Sequence, residues 1–484
     1  MRLNFRIILS ILGLLLLING GFMFLCLPFS FYYGQDWLGI LLAGVITAGV
    51  GAGVWYFFKN TENKELKKRD GYLIVTLGWL IMSFFGTLPY LLTGSIDSFT
   101  SAFFETISGY TTTGASILND IEGLPKPILF WRSLTQWIGG MGIIVLTVAI
   151  LPILGIGGMQ LFVAEAPGIS PDKLKPRIKD TAKRLWLIYL GLTLLEAILL
   201  MLGGMSFFDA INHALTTMAT GGFSTKQDSV AHYTSPFIQY VIIFFMFLAG
   251  TNFTITYFML KGRFKKIWNN EEYRTYVYLT LVFALLISFI VFSEDWKGFE
   301  QSFRDSLFQV VSIITTTGFV TADYTAWTPF LSVLFFLFMF VGASAGSTAG
   351  GVKIVRHIIL SKNSILEMKR QLHPSAVMPV RLNGKAVQRD ITFNVLAFMM
   401  LYFFIFALGS ILVSMTGVDF MTAIGATATC LGNIGPGFGS VGPVDNFAHV
   451  SPIGKWLLSF LMLLGRLELF TVLILFTSYY WKRV

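Results

Sequence analysis

Four short stretches of this 484-residue chain place threonine, asparagine and glycine at one spacing. They are Thr111-Thr112-Thr113-Gly114, Ala219-Thr220-Gly221-Gly222, Thr315-Thr316-Thr317-Gly318 and Gly432-Asn433-Ile434-Gly435. A phenylalanine stands 15 residues before the last glycine of each, at Phe99, Phe207, Phe303 and Phe420. Glycine tolerates positive φ, so an extended strand ending on it can turn successive carbonyls to one side. Those oxygens, together with threonine hydroxyls, can replace the water shell of an alkali cation, as rings of main-chain carbonyls do in ion filters. The candidate ligands are Thr112, Thr113, Gly114, Thr220, Gly221, Gly222, Thr316, Thr317, Gly318, Asn433, Ile434 and Gly435. A single such stretch reads equally well as a helix C-cap. Four at one spacing point to the cation.

The segments ahead of these glycines are too short to cross a bilayer and too apolar for loops. A helix of about 10–11 residues is ~16 Å long, close to half the hydrocarbon thickness. Each segment therefore reads as a half-helix that stops near the midplane, followed by extended chain. Irregular backbone survives at that depth only when it is buried in protein or lines water. Asp97, Asp209, Asp305 and Asp419 stand near the starts, where an acid suits a helix N-terminus; four C-terminal ends meeting at one axis would favour a cation.

The rest of the chain supplies walls for such a path. It is 55% hydrophobic and only 13% charged, with mean hydropathy +0.70. That is too little charge to cover a water-facing surface, which excludes a soluble enzyme and a nucleic-acid binder. Ten apolar runs are evident, at 7–27, 38–58, 73–92, 128–151, 184–203, 236–260, 275–292, 329–341 (continuing past a glycine-rich break), 391–415 and 453–481. The fold class expected is all-α integral membrane: ten transmembrane helices with four re-entrant half-helices in pseudo-fourfold arrangement. Segments on one side hold 28 of the 35 Lys and Arg, so both termini are cytoplasmic by the positive-inside rule. The opposite side carries fourteen acids, Glu105 and Glu122 among them, against six bases that include Arg132 and Lys226; a negative mouth concentrates cations. The chain divides into a two-span extension (1–69) and four repeats, 70–180, 181–270, 271–388 and 389–484.

Two further features stand apart. Gly342-Ala343-Ser344-Ala345-Gly346-Ser347-Thr348-Ala349-Gly350-Gly351 interrupts the second span of the third repeat. It reads as a movable loop beneath the filter, with Gly342, Gly346, Gly350 and Gly351 as its hinges, or as a close helix contact through small residues. Arg466 lies mid-span, where a charge faces either a water-filled cavity or a partner; Glu196 is the alternative partner. Lys353, Arg356, Lys362, Lys369 and Arg370 form a basic cytoplasmic extension suited to lipid headgroups or a regulatory ring. Neither the histidines nor Cys26 and Cys430 show metal-ligand spacing.

The span–half-helix–filter–span plan resembles the TrkH/KtrB/HKT superfamily of potassium and sodium translocating proteins, over the whole chain. The two extra N-terminal spans, the T-T-T-G stretches and Gly465-Arg466-Leu467-Glu468-Leu469 are most similar to its bacterial TrkH branch. The resemblance implies potassium uptake across the bacterial inner membrane, a pore within each subunit and a homodimer. It also implies regulation by a cytosolic TrkA-like NAD/ATP-binding subunit, so that this chain binds no nucleotide itself. Glycine at Gly114, Gly222, Gly318 and Gly435 goes with potassium selectivity in that superfamily, and an arginine stands at the place matching Arg466. Gly221 and the Asn433–Pro436 stretch depart from the T-T-T-G pattern. A proton- or sodium-coupled symporter is the competing reading; it needs a titratable site in the membrane, for which Glu196 and Glu468 are the candidates.

Overall fold

The computed structural model describes residues 3–60, 66–142, 178–295 and 298–482. Parts of the expected 128–151 span and the 152–184 basic segment lie outside the described residues. Among those described, six helices are long and apolar enough to cross a membrane: Phe5–Tyr33, Leu38–Phe58, Arg69–Leu92, Lys183–Leu202, Glu271–Glu294 and Arg389–Ser414. Two bent pairs raise the number to eight. The remaining expected runs correspond to Lys126–Gly140 and the ten-residue helix Pro329–Phe338.

The first two spans pack at the distance small residues allow. A Cβ on Gly13 would lie 2.6 Å from the Trp55 nitrogen, and one on Gly51 2.4 Å from that of Leu17. Removing side chains at such positions lets two backbones close on each other inside a bilayer. The pair is tied to the first repeat by the Tyr110 hydroxyl, which donates to Asn19 Oδ1. Arg69 reaches across to the last repeat, donating to the carbonyls of Tyr479 and Lys482, while the Tyr480 hydroxyl donates to the Arg69 carbonyl. The end of the N-terminal extension, where the first repeat begins, is thereby stitched to the fourth repeat.

Each expected half-helix is a helix: Phe99–Tyr110, Phe207–Met218, Phe299–Ile314 and Phe420–Gly432. Asp419 is a true N-cap, its carboxylate accepting from the amides of Met421 and Thr422, and Asp209 sits in the first turn of its helix. Asp305 is a correction. The third helix begins four residues before Phe303, so Asp305 falls in its second turn and Glu300 occupies the first.

The second spans of the repeats start alike. Pro127, Pro236, Pro329 and Pro452 stand in the first turn, and the last three follow Ser235, Thr328 and Ser451 as N-caps. Proline at the first helical position gives up no hydrogen bond, and the Thr328 and Ser451 hydroxyls accept from the orphan amides of Leu331 and Gly454. The sequence suggested continuous spans at 236–260 and 453–481, but both are broken. Pro236–Ala249 meets Phe253–Leu260 at 113°, and Pro452–Arg466 meets Phe470–Phe476 at 110°. At the first break Asn252 caps the new helix through the Thr254 amide, at 2.8 Å. At the second, Glu468 and Leu469 both take positive φ.

The all-α expectation needs one amendment. Arg381–Leu382 and Lys385–Ala386 form a small antiparallel hairpin between the third and fourth repeats. Asn383 and Gly384 turn it, at φ 52° and 75°, the two left-handed residues that a tight hairpin of this hand requires.

Candidate ion pathway

The half-helices do not end on the expected glycines. They end at Tyr110, Met218, Ile314 and Gly432, and the residue two places before each glycine, Thr112, Thr220, Thr316 or Asn433, is left-handed at φ 52–55°. In the first repeat the Thr112 amide donates to the Gly109 carbonyl and the Thr113 amide to that of Ser108, the paired bonds of a Schellman cap. The same pair of bonds recurs at Thr220 and Gly221 and at Thr316 and Thr317. A β-branched residue with positive φ costs of order 1–3 kcal/mol, and such strain collects at functional sites. The glycines follow at φ 82°, 75°, 78° and 109° for Gly114, Gly222, Gly318 and Gly435. The cap reading and the extended-strand reading thus describe successive parts of one segment.

The four glycines interlock around a closed circuit. A Cβ on Gly114 would lie 2.2 Å from the Gly221 carbonyl oxygen, one on Gly222 2.0 Å from that of Thr317, and one on Gly318 1.9 Å from that of Ile434. One on Gly435 would lie 2.8 Å from the Thr113 oxygen, which returns the circuit to its start. Each repeat presents a glycine to the carbonyl preceding the glycine of the next. Eight of the twelve expected residues, Thr113, Gly114, Gly221, Gly222, Thr317, Gly318, Ile434 and Gly435, meet in this circuit, and Thr112, Thr220, Thr316 and Asn433 adjoin them in the chain. A cavity of about 90 Å³ adjoins the glycine end and is lined also by Ser224, Lys226 and Asp445. Lys226 is 3.0 Å from Glu122, and its hydrogen bond holds that carboxyl below its ordinary range.

Threonine hydroxyls divide into two sets. Thr111 and Thr113 pair with each other at 2.8 Å, as Thr315 and Thr317 do at 2.7 Å, so these four brace the segment. The Thr112 hydroxyl is buried without a hydrogen-bond partner among the described residues.

The glycine-rich stretch of the third repeat enters at the opposite end of the ring. The Gly350 amide donates to the Thr316 hydroxyl at 2.7 Å, and a Cβ on Gly350 would lie 2.7 Å from that of Asn433. Thr348 donates to the Met218 carbonyl at 3.0 Å, and Gly342 to that of Val352 at 2.7 Å. The Gly346 carbonyl accepts from the Phe253 amide at 3.1 Å, and Gly351, at φ 63°, packs back on Gly342. A second cavity, of about 170 Å³, is lined here by Gly346, Gly350, Gly351, Lys353, Arg466 and Glu468.

Arg466 grips main-chain carbonyls. Its guanidinium donates to Thr348 at 2.7 Å, Gly139 at 2.5 Å and Gly140 at 2.9 Å, joining the loop to the first repeat. Among the described residues Glu196 does not pair with it: both carboxylate oxygens are buried there without hydrogen bonds, beside a Thr217 hydroxyl that donates to the His213 carbonyl. Two residues of the expected cytoplasmic extension are also relocated. Lys353 is buried and donates to the Ala349 and Gly350 carbonyls, and Arg356 pairs with Glu468 while stacking 3.9 Å from the Phe398 ring centroid. Lys362 pairs with Glu271, and Arg370 with Glu367.

Glu105 and Arg132, counted above with the outer-face charges, form a fully buried pair at 2.6 Å. Glu105 also accepts from Ser116 and the Ile117 amide, and Arg132 donates to the Ser224 carbonyl, so the pair fixes the chain after the first two glycines. Arg132→Met leaves a buried carboxylate uncompensated, expected to cost about 3–5 kcal/mol. A lower thermal midpoint in detergent, partly restored by adding Glu105→Gln, is the check.

Comparison with known proteins bears on this architecture. The family model described as TrkH, cation transport protein, matches residues 39–295 and 299–482. The chain belongs to the TrkH family. It is a multi-pass membrane transport protein and not an enzyme. It is 41% identical to the Trk system potassium uptake protein TrkH of Salmonella typhimurium, over 99% of this chain and 100% of that one. Against the protein called TrkG in Escherichia coli identity is 35%, covering 93% of each. The crystal structure of the potassium transporter TrkH from Vibrio parahaemolyticus superposes with TM-score 0.89 at 38% identity, over 99% of this TrkH-family chain and 100% of that chain.

Proposed function

We propose that this chain takes up potassium across the bacterial inner membrane through a gated pore enclosed by its four repeats. The observation that carries the reading is the closed circuit of glycines and carbonyls from Gly114 to Gly435. The alternation of left-handed and ordinary residues over Thr112–Gly114 and its three counterparts supports carbonyls turned toward one axis. Such oxygens replace the hydration shell of a monovalent cation; the Thr112 hydroxyl is a further donor at the inner end. The membrane arrangement in this reading is the ten-span one, with termini cytoplasmic and repeats bounded at 70, 181, 271 and 389. The 342–351 loop and Arg466 form the barrier below the filter, opened by a cytosolic TrkA-like nucleotide-binding subunit on a homodimer.

The names of the Trk relatives support potassium as the cargo. Glu468, tied to Arg356, is ill placed to carry a coupling proton. The test is rubidium and potassium flux through the full-length protein in liposomes, with internal and external pH varied separately. Potassium-selective flux whose reversal potential ignores the proton gradient is expected. A reversal potential that follows the proton gradient would establish the symporter instead.

A further inference from the structure

We propose that Gln136 is a specificity-determining residue that holds one carbonyl of the ring from behind. Gln136 is fully buried on the second helix of the first repeat, Lys126–Gly140. Its Nε2 donates to the Gly221 carbonyl at 2.6 Å, and its Oε1 accepts from the Phe223 amide at 3.1 Å. The two bonds fix the orientation of the side-chain amide, because a main-chain carbonyl only accepts and a main-chain amide only donates. The Gly221 oxygen is the one that Gly114 faces, so Gln136 acts on a member of the circuit itself.

The other three quadrants are built differently. Counted from the first-turn proline of each second span, the position of Gln136 holds Phe245, Phe338 and Leu461. Behind the ring, repeats 1 and 3 carry the Thr111–Thr113 and Thr315–Thr317 hydroxyl pairs, and repeat 4 carries Ile434. Among the described residues, the carbonyls of Thr113, Thr317 and Ile434 receive no side-chain hydrogen bond. Position 221 is glycine for the same reason: a Cβ there would lie 2.3 Å from Cδ of Gln136. A side chain at 221 therefore displaces the glutamine amide from its two bonds.

A carbonyl that already accepts a short N–H bond is held more stiffly and offers less of its field to a cation. Selectivity depends on the number and strength of such dipoles. Gln136 is thus a positioning residue that makes the second quadrant weaker and more rigid than the others. The inference rests on the filter reading above.

The test uses the full-length protein in liposomes, with potassium, rubidium and sodium fluxes and the detergent thermal midpoint measured on each variant. Gln136→Met, which keeps the bulk and removes both bonds, is expected to change the potassium-to-sodium ratio about 5-fold, the effect of one hydrogen bond. Gly221→Thr alone is expected to lower flux, because the new side chain pushes the glutamine amide off both of its bonds. Adding Gln136→Ala restores the T-T-G pattern and is expected to recover flux with an altered ratio. Lower flux and midpoint in Gln136→Met with an unchanged ratio would overturn the proposal, as would failure of the double variant to recover flux. Gly318→Ser is run in parallel. If it leaves the ratio unchanged, the filter reading falls; if it shifts the ratio while Gln136→Met does not, only the role of Gln136 falls.

Discussion

Gly318→Ser is expected to reduce potassium-over-sodium preference about tenfold, the largest change in selectivity of any single substitution in the ring. Two effects act together. Gly318 has φ 78°, where a side chain brings strain of about 1–3 kcal/mol. Its Cβ would also fall 1.9 Å from the Ile434 oxygen and 2.8 Å from Pro436 Cδ. Neither neighbour is a flexible side-chain tip, so the carbonyl itself must move. A ring widened on one side fits the larger, weakly hydrated cation less well and admits water, which favours sodium. Parallel flux measurements with the two cations as sole permeant ions give the ratio. An unchanged ratio would remove this ring as the site of selection.

Arg466→Ala is expected to raise flux measured without any regulatory partner, by an order of magnitude. Among the described residues the guanidinium makes three charge-assisted bonds, to Thr348, Gly139 and Gly140. Each such bond contributes about 1.5–3 kcal/mol. Alanine removes the bonds holding the 342–351 loop against the first repeat, and it removes a positive charge from the cavity that a cation must cross. Lys353 stays anchored on the Ala349 and Gly350 carbonyls, so part of the barrier persists. Rubidium uptake into liposomes at matched protein content measures the change. A fall in flux with an unaltered thermal midpoint would mean that the arginine holds the conducting form together.

What was legible in the sequence is what repeats or is local. The 15-residue interval from phenylalanine to glycine located all four half-helices, because a half-helix and its return fix that length. The small-residue run from Gly342 to Gly351 marked a break in a span for the same reason. The breaks at 250–252 and 467–469 were missed because hydropathy is continuous across them. The cause of the first is tertiary: the Ala249 and Gly250 carbonyls find partners in Thr348 and Ser344 of another repeat. A signal was present in the recurring pattern of hydroxyl then proline, whose register places Gly140, Ala249, Gly342 and Gly465 at one position. The left-handed threonines were not legible either, since threonine resists that conformation and only the surrounding cap and ring impose it. Nor was the Arg356–Glu468 pair, which joins residues 112 apart. Mid-span charge predicted that Arg466 needs partners, but composition cannot distinguish a carboxylate from three carbonyls.

Drawing the whole circuit from one polypeptide has a consequence for how such a molecule diversifies. In a tetramer of identical chains, one altered codon changes every quarter of the lining at once, and most such alterations are ruinous. Here the same event touches a single quarter, as the lone glutamine behind Gly221 illustrates. If the ring selects the ion as proposed, its preference can change one quarter at a time.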